Sequence, residues 1–319
     1  MEIKSGSIKR NDILKLVLQQ RILLVLIALC TVITIFIPPF LTVENLLNVA
    51  RQISINGIVA VGMTFVIITG GIDISVGSTV ALGGVISGLA IKQGMPVELA
   101  ILAALLAGGI VGAFNGALIS YFRILPFIAT LGTMNLIRGL TLAVCNGQAI
   151  WGLPPKFLYL GTGYLSWIPV PVIISLVIFI IGHFLLKDFS IGRYTIAVGG
   201  NEEAARLSGV SVKKVKMFAY ILCGILSSAS GIILAGRLGT AQPNAGMGYE
   251  LIAIAAVVIG GTSLLGGKGT MAGTLLGALI LGVVSNSLNL LGVSSFYQTM
   301  ITGGIVIIAV LVDMMKKES

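Results

Sequence analysis

The side chains able to do chemistry in this chain are few, and they sit in apolar surroundings. Asp73 lies in Gly70-Gly71-Ile72-Asp73-Ile74-Ser75-Val76-Gly77-Ser78, Asn135 and Arg138 are three residues apart, Glu250 follows a glycine-rich stretch, and Asn286 sits in a late apolar run. A carboxylate in such a setting is costly unless partnered. Asp73 therefore reads either as a ligand for a polar solute or a proton relay, or as a structural cap that accepts amides freed where Gly70 and Gly71 break the chain, with Ser75 and Ser78 capping the helix that follows. The cap is the preferred reading. Asn135 and Arg138 share one helical face; they could bind hydroxyls, and equally Arg138 could reach a neighbouring carbonyl or pair with Glu250. Asn56, Thr64, Asn115, Thr130, Thr133, Ser227, Ser228, Ser230, Asn286 and Asn289 either line a path or hold helices together, the second being the ordinary use of such residues.

Catalysis finds no support in these residues. Ser263 is followed by Leu264-Leu265, not by the x-Gly of a nucleophile elbow, and the one histidine, His183, is remote from it in sequence. One histidine makes no metal site, and Cys30, Cys145 and Cys223 have no paired spacing. No catalytic residue, metal or chain-bound cofactor is assigned.

The elements that must position these groups are membrane helices. Of 319 residues, 56% are hydrophobic and only 10% charged, and the mean hydropathy of +1.08 lies far above the soluble range. The apolar runs are continuous, and the alternation that a barrel strand needs does not recur. The fold class is all-α and polytopic, with about ten spans near 22–37, 53–70, 74–91, 97–120, 127–144, 168–186, 217–236, 250–265, 271–290 and 297–315. The first and eighth are short for a perpendicular crossing, and glycine runs such as Gly83-Gly84 and Gly108-Gly109 with Gly112 read as close helix packing. Placing both termini inside puts fifteen of the twenty Lys and Arg residues on the cytoplasmic side, so the +9 charge is a topology signal and no nucleic-acid partner is implied. The organisation is a cytoplasmic segment 1–21, one transmembrane domain 22–315 and a cytoplasmic tail 316–319, with membrane lipid as the surrounding partner.

Within that domain the inner loop 187–216 stands out. Asn201 is suited to cap a helix, Glu202 and Glu203 favour its positive end, and Gly209 suits a left-handed stop. The sequence predicts a two-turn helix on a loop, too short to be stable alone and so held by a partner or by the membrane domain. Capping at both ends and the small Ala204-Ala205 step suit docking into a cleft on another protein.

The run Gly192-Arg193 through Gly199-Gly200-Asn201-Glu202 to Gly209 resembles the coupling loop of permease subunits of ATP-binding-cassette importers, specifically the ribose-type sugar permeases of the branched-chain amino acid/ribose permease family. The stretches Gly70 to Ser78, Ala241-Gln242-Pro243 to Gly248-Tyr249-Glu250-Leu251, Ala255 to Ser263 with Gly266-Gly267-Lys268-Gly269, and Asn289 to Ser295 agree with that family in matching order between about Leu41 and Asp313. Ile252 departs from it, standing where an acidic residue is expected. The resemblance implies a multi-pass protein of the bacterial cytoplasmic membrane that pairs with a second permease copy or a sister permease. It implies a monosaccharide, ribose or a similar pentose first, delivered by an extracellular or periplasmic binding protein. It also implies separate ATPase subunits that hold ATP-Mg and dock on Gly192, Arg193, Gly199, Gly200, Asn201, Glu202, Ala204, Ala205 and Gly209. Gly267-Lys268 is followed by Gly269 where a phosphate-binding loop needs Ser or Thr, which agrees with energy from another chain. The rival is an ion-coupled secondary transporter of a small polar solute, which would share the buried carboxylate and broken spans but has no use for a capped docking helix.

Overall fold

The computed structural model describes residues 21–318, so the expected N-terminal segment falls outside the described residues. Thirteen α-helices follow in order: α1 Arg21–Phe36, α2 Val43–Ile68, α3 Val76–Lys92, α4 Val97–Ser120, α5 Pro126–Val144, α6 Pro155–Thr162, α7 Val170–Lys187, α8 Ser190–Gly200, α9 Glu202–Leu207, α10 Val212–Leu238, α11 Tyr249–Ile259, α12 Met271–Leu290 and α13 Ser295–Glu318. A two-residue hairpin, β1 Tyr164–Leu165 against β2 Ile168–Pro169, joins α6 to α7. This is a multi-pass α-helical membrane protein. Six helices (α2, α4, α5, α7, α10 and α12) are long and apolar enough to cross a membrane, and α1, α3, α11 and α13 supply shorter apolar stretches.

The centre is α2 and α10, whose sequences mix branched apolar residues with glycine, serine and cysteine. Small residues let backbones meet: Gly108 of α4 and Gly224 of α10 face each other so closely that a methyl on either would overlap the other's carbonyl, and Gly62 lies against Cys223 in the same way. Several hydroxyls considered for a path act here as interhelical ties. Ser228 donates to the Ala104 carbonyl at 2.6 Å and Ser230 to the Ile55 carbonyl at 2.9 Å, while Thr64 and Thr274 share a hydroxyl bond of 2.8 Å.

Three expectations change. The second helix starts at Val43, ten residues before the expected span, because Thr42 caps it and its first turns carry Glu44 and Arg51 outside the apolar run. The eighth span is the 11-residue α11, ended by Gly260 and by Gly261 at φ +85°. At 1.5 Å per residue it covers about 16 Å, half a bilayer. Residues 190–200, expected as loop, form α8.

Connections sort to two ends. At one, Ile150 and Ala241 form a backbone bridge, Lys156 pairs with Glu98, and Arg51 bonds Tyr164. At the other, the Gly267 amide donates to the Ile68 carbonyl and Lys213 lies over the Tyr121 ring.

Candidate functional site

At the second end α8 and α9 project beneath the helix bundle. Asn201 has extended backbone angles, φ −158° and ψ 104°, and its Oδ1 accepts from the Ala204 amide at 2.9 Å, so the N-cap forms as the sequence predicts. Gly209 at φ +84° ends the segment, with Val210 N donating to the Ala205 carbonyl at 3.0 Å. The helix has six residues, fewer than two turns. It is held from behind: Ala205 packs with Val198 and Val215, and Lys216 Nζ donates to Glu202 Oε2 at 2.6 Å.

This corrects the reading of an Ala204-Ala205 step as one docking surface. Ala205 faces the body, and what α9 presents outward is Glu202, Glu203, Ala204, Arg206 and Leu207, the last 77% exposed. Arg206 Nε meets Glu203 Oε2 at 3.1 Å, and that bond holds the Glu203 carboxyl below its usual range. Between α9 and the turn after α4 lies an open cleft of about 700 Å³, rimmed by Arg123, Glu202, Glu203, Arg206, Lys213 and Lys216.

The remaining members of the sequence-derived set divide by direction. Gly192 packs on the Leu185 and Leu186 carbonyls, and Gly199 packs on the Ile68 carbonyl. Arg193 turns back to the Asp188 carbonyl at 3.0 Å and to Ser190 Oγ at 3.2 Å. Gly200, Asn201 and Gly209 are exposed.

Above this surface α2 ends at Ile68, and the chain breaks at Gly70, φ +78°, before α3 starts. Asp73 lies in the break and is 1% exposed. Its Oδ1 accepts from Ser75 N at 2.9 Å, from Ser75 Oγ at 2.6 Å and from Asn115 Nδ2 at 3.4 Å. None of the three ion pairs among the described residues involves Asp73. The carboxylate thus ties the turn that leads into α3, accepting from the amide of Ser75, the residue before the helix, and from none of the amides at Gly70 or Gly71; α3 itself has no side-chain cap. Ser75 differs from the expectation: its hydroxyl donates to Asp73 instead of accepting a helix amide, and Ser78 Oγ donates to the Ser75 carbonyl at 2.8 Å.

Of the path candidates, Asn286 is tied to Asn45 through both side-chain amides. Arg138 takes the carbonyl option: Nη1 donates to Pro243 O at 2.6 Å and Ala245 O at 3.0 Å, pinning the loop before α11. Glu250 Oε1 accepts from Gly248 N at 3.2 Å. Asn135 donates to the Leu131 carbonyl of its own helix at 3.1 Å and does not join Arg138. Sequence reasoning missed Asn45, which precedes the second span it predicts. It also missed the neutral polar cluster Gln52, Ser285, Gln298 and Thr302, which with Asn56 lines a cavity of about 50 Å³ among α2, α11, α12 and α13. The signal for Asn45 was Thr42, an N-cap type three residues before it.

Known proteins place this architecture. The profile of the family described as branched-chain amino acid transport system / permease component matches residues 45–310. Ribose import permease protein RbsC of Bacillus subtilis is 50% identical over 293 residues, covering 91% of this chain and 91% of its own length. The proteins of that name from Haemophilus influenzae and Escherichia coli K12 are each 46% identical, over 94% of this chain and 94% and 95% of their own. No solved structure matches the chain. The chain belongs to this permease family of membrane transport systems, and the ion-coupled carrier raised by the sequence is not favoured.

Proposed function

We propose that this chain is the membrane-spanning permease of an ATP-binding-cassette importer for ribose or a similar pentose. The observation that carries the reading is the 46–50% identity, over nine-tenths of the chain, to proteins named ribose import permeases. The shape of α9 supports it: a capped, outward-facing helix of six residues has little stability of its own and suits a seat in a partner's cleft. ATPase subunits carrying ATP-Mg dock there, on Asn201, Glu202, Ala204 and Leu207, while Gly192, Gly199 and Ala205 support the helix from within.

In this reading the chain crosses the bacterial cytoplasmic membrane about ten times, with α11 a half-span, both termini cytoplasmic and α8 to α9 inside. Residues 22–315 form one permease domain. A periplasmic or extracellular binding protein delivers the sugar at the opposite end, and a second permease, the same chain or a sister, completes the pore. The chain itself makes and breaks no covalent bond. Nucleotide-driven movement of the docked ATPases biases the permease between outward-open and inward-open states.

Uptake of radiolabelled D-ribose by the source cells tests the substrate. Deletion of this gene is expected to abolish high-affinity uptake and re-expression to restore it; undiminished ribose uptake in the deletion strain contradicts the assignment.

A further inference from the structure

Three segments far apart in sequence meet at one carbonyl. Ile68 closes α2, so its C=O has no partner within the helix. It accepts from Gly267 N at 2.9 Å, and Gly199 of α8 lies so near the same oxygen that a methyl on its Cα would overlap both that oxygen and the Gly267 amide. Gly266, at φ +85°, completes the contact: a methyl there would come within 2.8 Å of the Gly199 carbonyl oxygen and 2.9 Å of Gly70 N. The end of α8 therefore touches one glycine break directly and reaches the other through Ile68, two residues before it, and through Gly266. The first is the Gly260 to Gly269 turn, which leads into α12, and the second is Gly70-Gly71, which leads through Asp73 into α3.

The neighbouring residue points the other way. A methyl on Gly200 would meet nothing within 4 Å, although its backbone lies against Gly267, and Asn201 then caps α9. One residue separates the outward-facing helix from the inward contact. That contact is backbone on backbone, which matters mechanically. A side-chain contact can absorb a shift by changing rotamer, whereas two main chains in van der Waals contact move together or part.

We propose that Gly199 is a positioning residue for transport, the joint through which movement of α8 and α9 reaches both glycine breaks at once. The proposal rests on the permease reading above. It assigns to Gly199 a role distinct from docking: the ATPase is held by α9, and Gly199 passes the motion on. A larger residue at 199 would wedge α8 away from Ile68 and Gly267 while leaving the outward face of α9 unchanged.

The test uses the whole transporter purified from native membranes and placed in lipid vesicles. It compares wild type with Gly199→Ala and with Gly132→Ala, whose added methyl enters open space on α5. The Gly199 variant is expected to lose, per ATPase retained, about tenfold or more of both D-ribose transport and the hydrolysis stimulated by ribose-loaded binding protein. Gly132→Ala is expected to match wild type. Stimulation and transport by Gly199→Ala at the Gly132→Ala level overturn the joint, and so does release of the ATPase, which would make Gly199 a docking residue. Absence of any ATPase from the wild-type preparation overturns the permease reading and the joint with it. If Gly199→Ala does not accumulate, hydrogen exchange on the wild-type complex decides. Addition of ATP and vanadate should change exchange at Gly267 and residues 69–75 together with 190–207, and a change confined to 190–207 refutes the proposal.

Discussion

Asn45 and Asn286, 241 residues apart, exchange side-chain hydrogen bonds: each Nδ2 donates to the other's Oδ1, at 3.0 and 2.8 Å. The Asn45 amide also donates to the Phe40 carbonyl at 2.8 Å, so the pair fixes the entry to α2 against α12. Both are buried, and each uses its polar atoms on the other.

Replacing one partner alone is therefore worse than replacing both. Asn286→Leu is expected to cost about 1–3 kcal/mol by leaving Asn45 unsatisfied, and Asn45→Leu with Asn286→Leu to cost less than the sum of the single changes. Thermal unfolding in detergent measures the cycle. Additive losses contradict the pairing.

Asp73 separates a structural turn from a transport ligand. Asparagine keeps an oxygen able to accept from Ser75 N and Ser75 Oγ, whereas alanine removes it. Asp73→Asn is expected to keep D-ribose transport within about threefold of wild type. Asp73→Ala is expected to lower stability by about 1–3 kcal/mol through the lost hydrogen bonds of the buried turn. Thermal unfolding and vesicle uptake are the readouts, and abolition of transport by Asp73→Asn with stability intact would assign the charge a direct role.

Asn201 carries the side-chain N-cap of a helix of six residues. Asn201→Ala is expected to cost α9 about 1 kcal/mol and to weaken ATPase retention, with Asn201→Asp or Asn201→Ser restoring it. Titration of the purified permease with its ATPase measures the change. Equal affinity for the alanine and serine variants would show that the cap has no part in docking.

The helices are legible in the sequence wherever local chemistry decides them. Continuous apolar runs locate α4, α5 and α12 to within a residue, and the residue types of Asn201 and Gly209 suffice to mark both ends of α9. What a single sequence does not carry is direction and pairing. Ala204 and Ala205 read alike, and only the packing of α9 against Val198 and Val215 turns one outward and the other inward. Arg138 has two suitable partners by charge and reach, and the fold of 239–248 brings the carbonyls of Pro243 and Ala245 into hydrogen bonds while Glu250 acts on it through charge alone. Asn286 looks available for a path because Asn45 lies outside the expected span. Gly199 and Gly200 are adjacent and chemically identical, yet a methyl on one would overlap Ile68 and a methyl on the other would enter open space.

The central claim, that α9 seats in a separate ATPase, is tested most directly by purifying the protein in mild detergent from its native cells and identifying bound proteins by mass spectrometry, for wild type and Ala204→Arg. Ala204 is exposed, so the arginine does not disturb the core. The account predicts that an ATPase with a complete phosphate-binding loop accompanies the wild type and is lost from a folded Ala204→Arg protein. A wild-type protein that brings no ATPase through repeated preparations would contradict it.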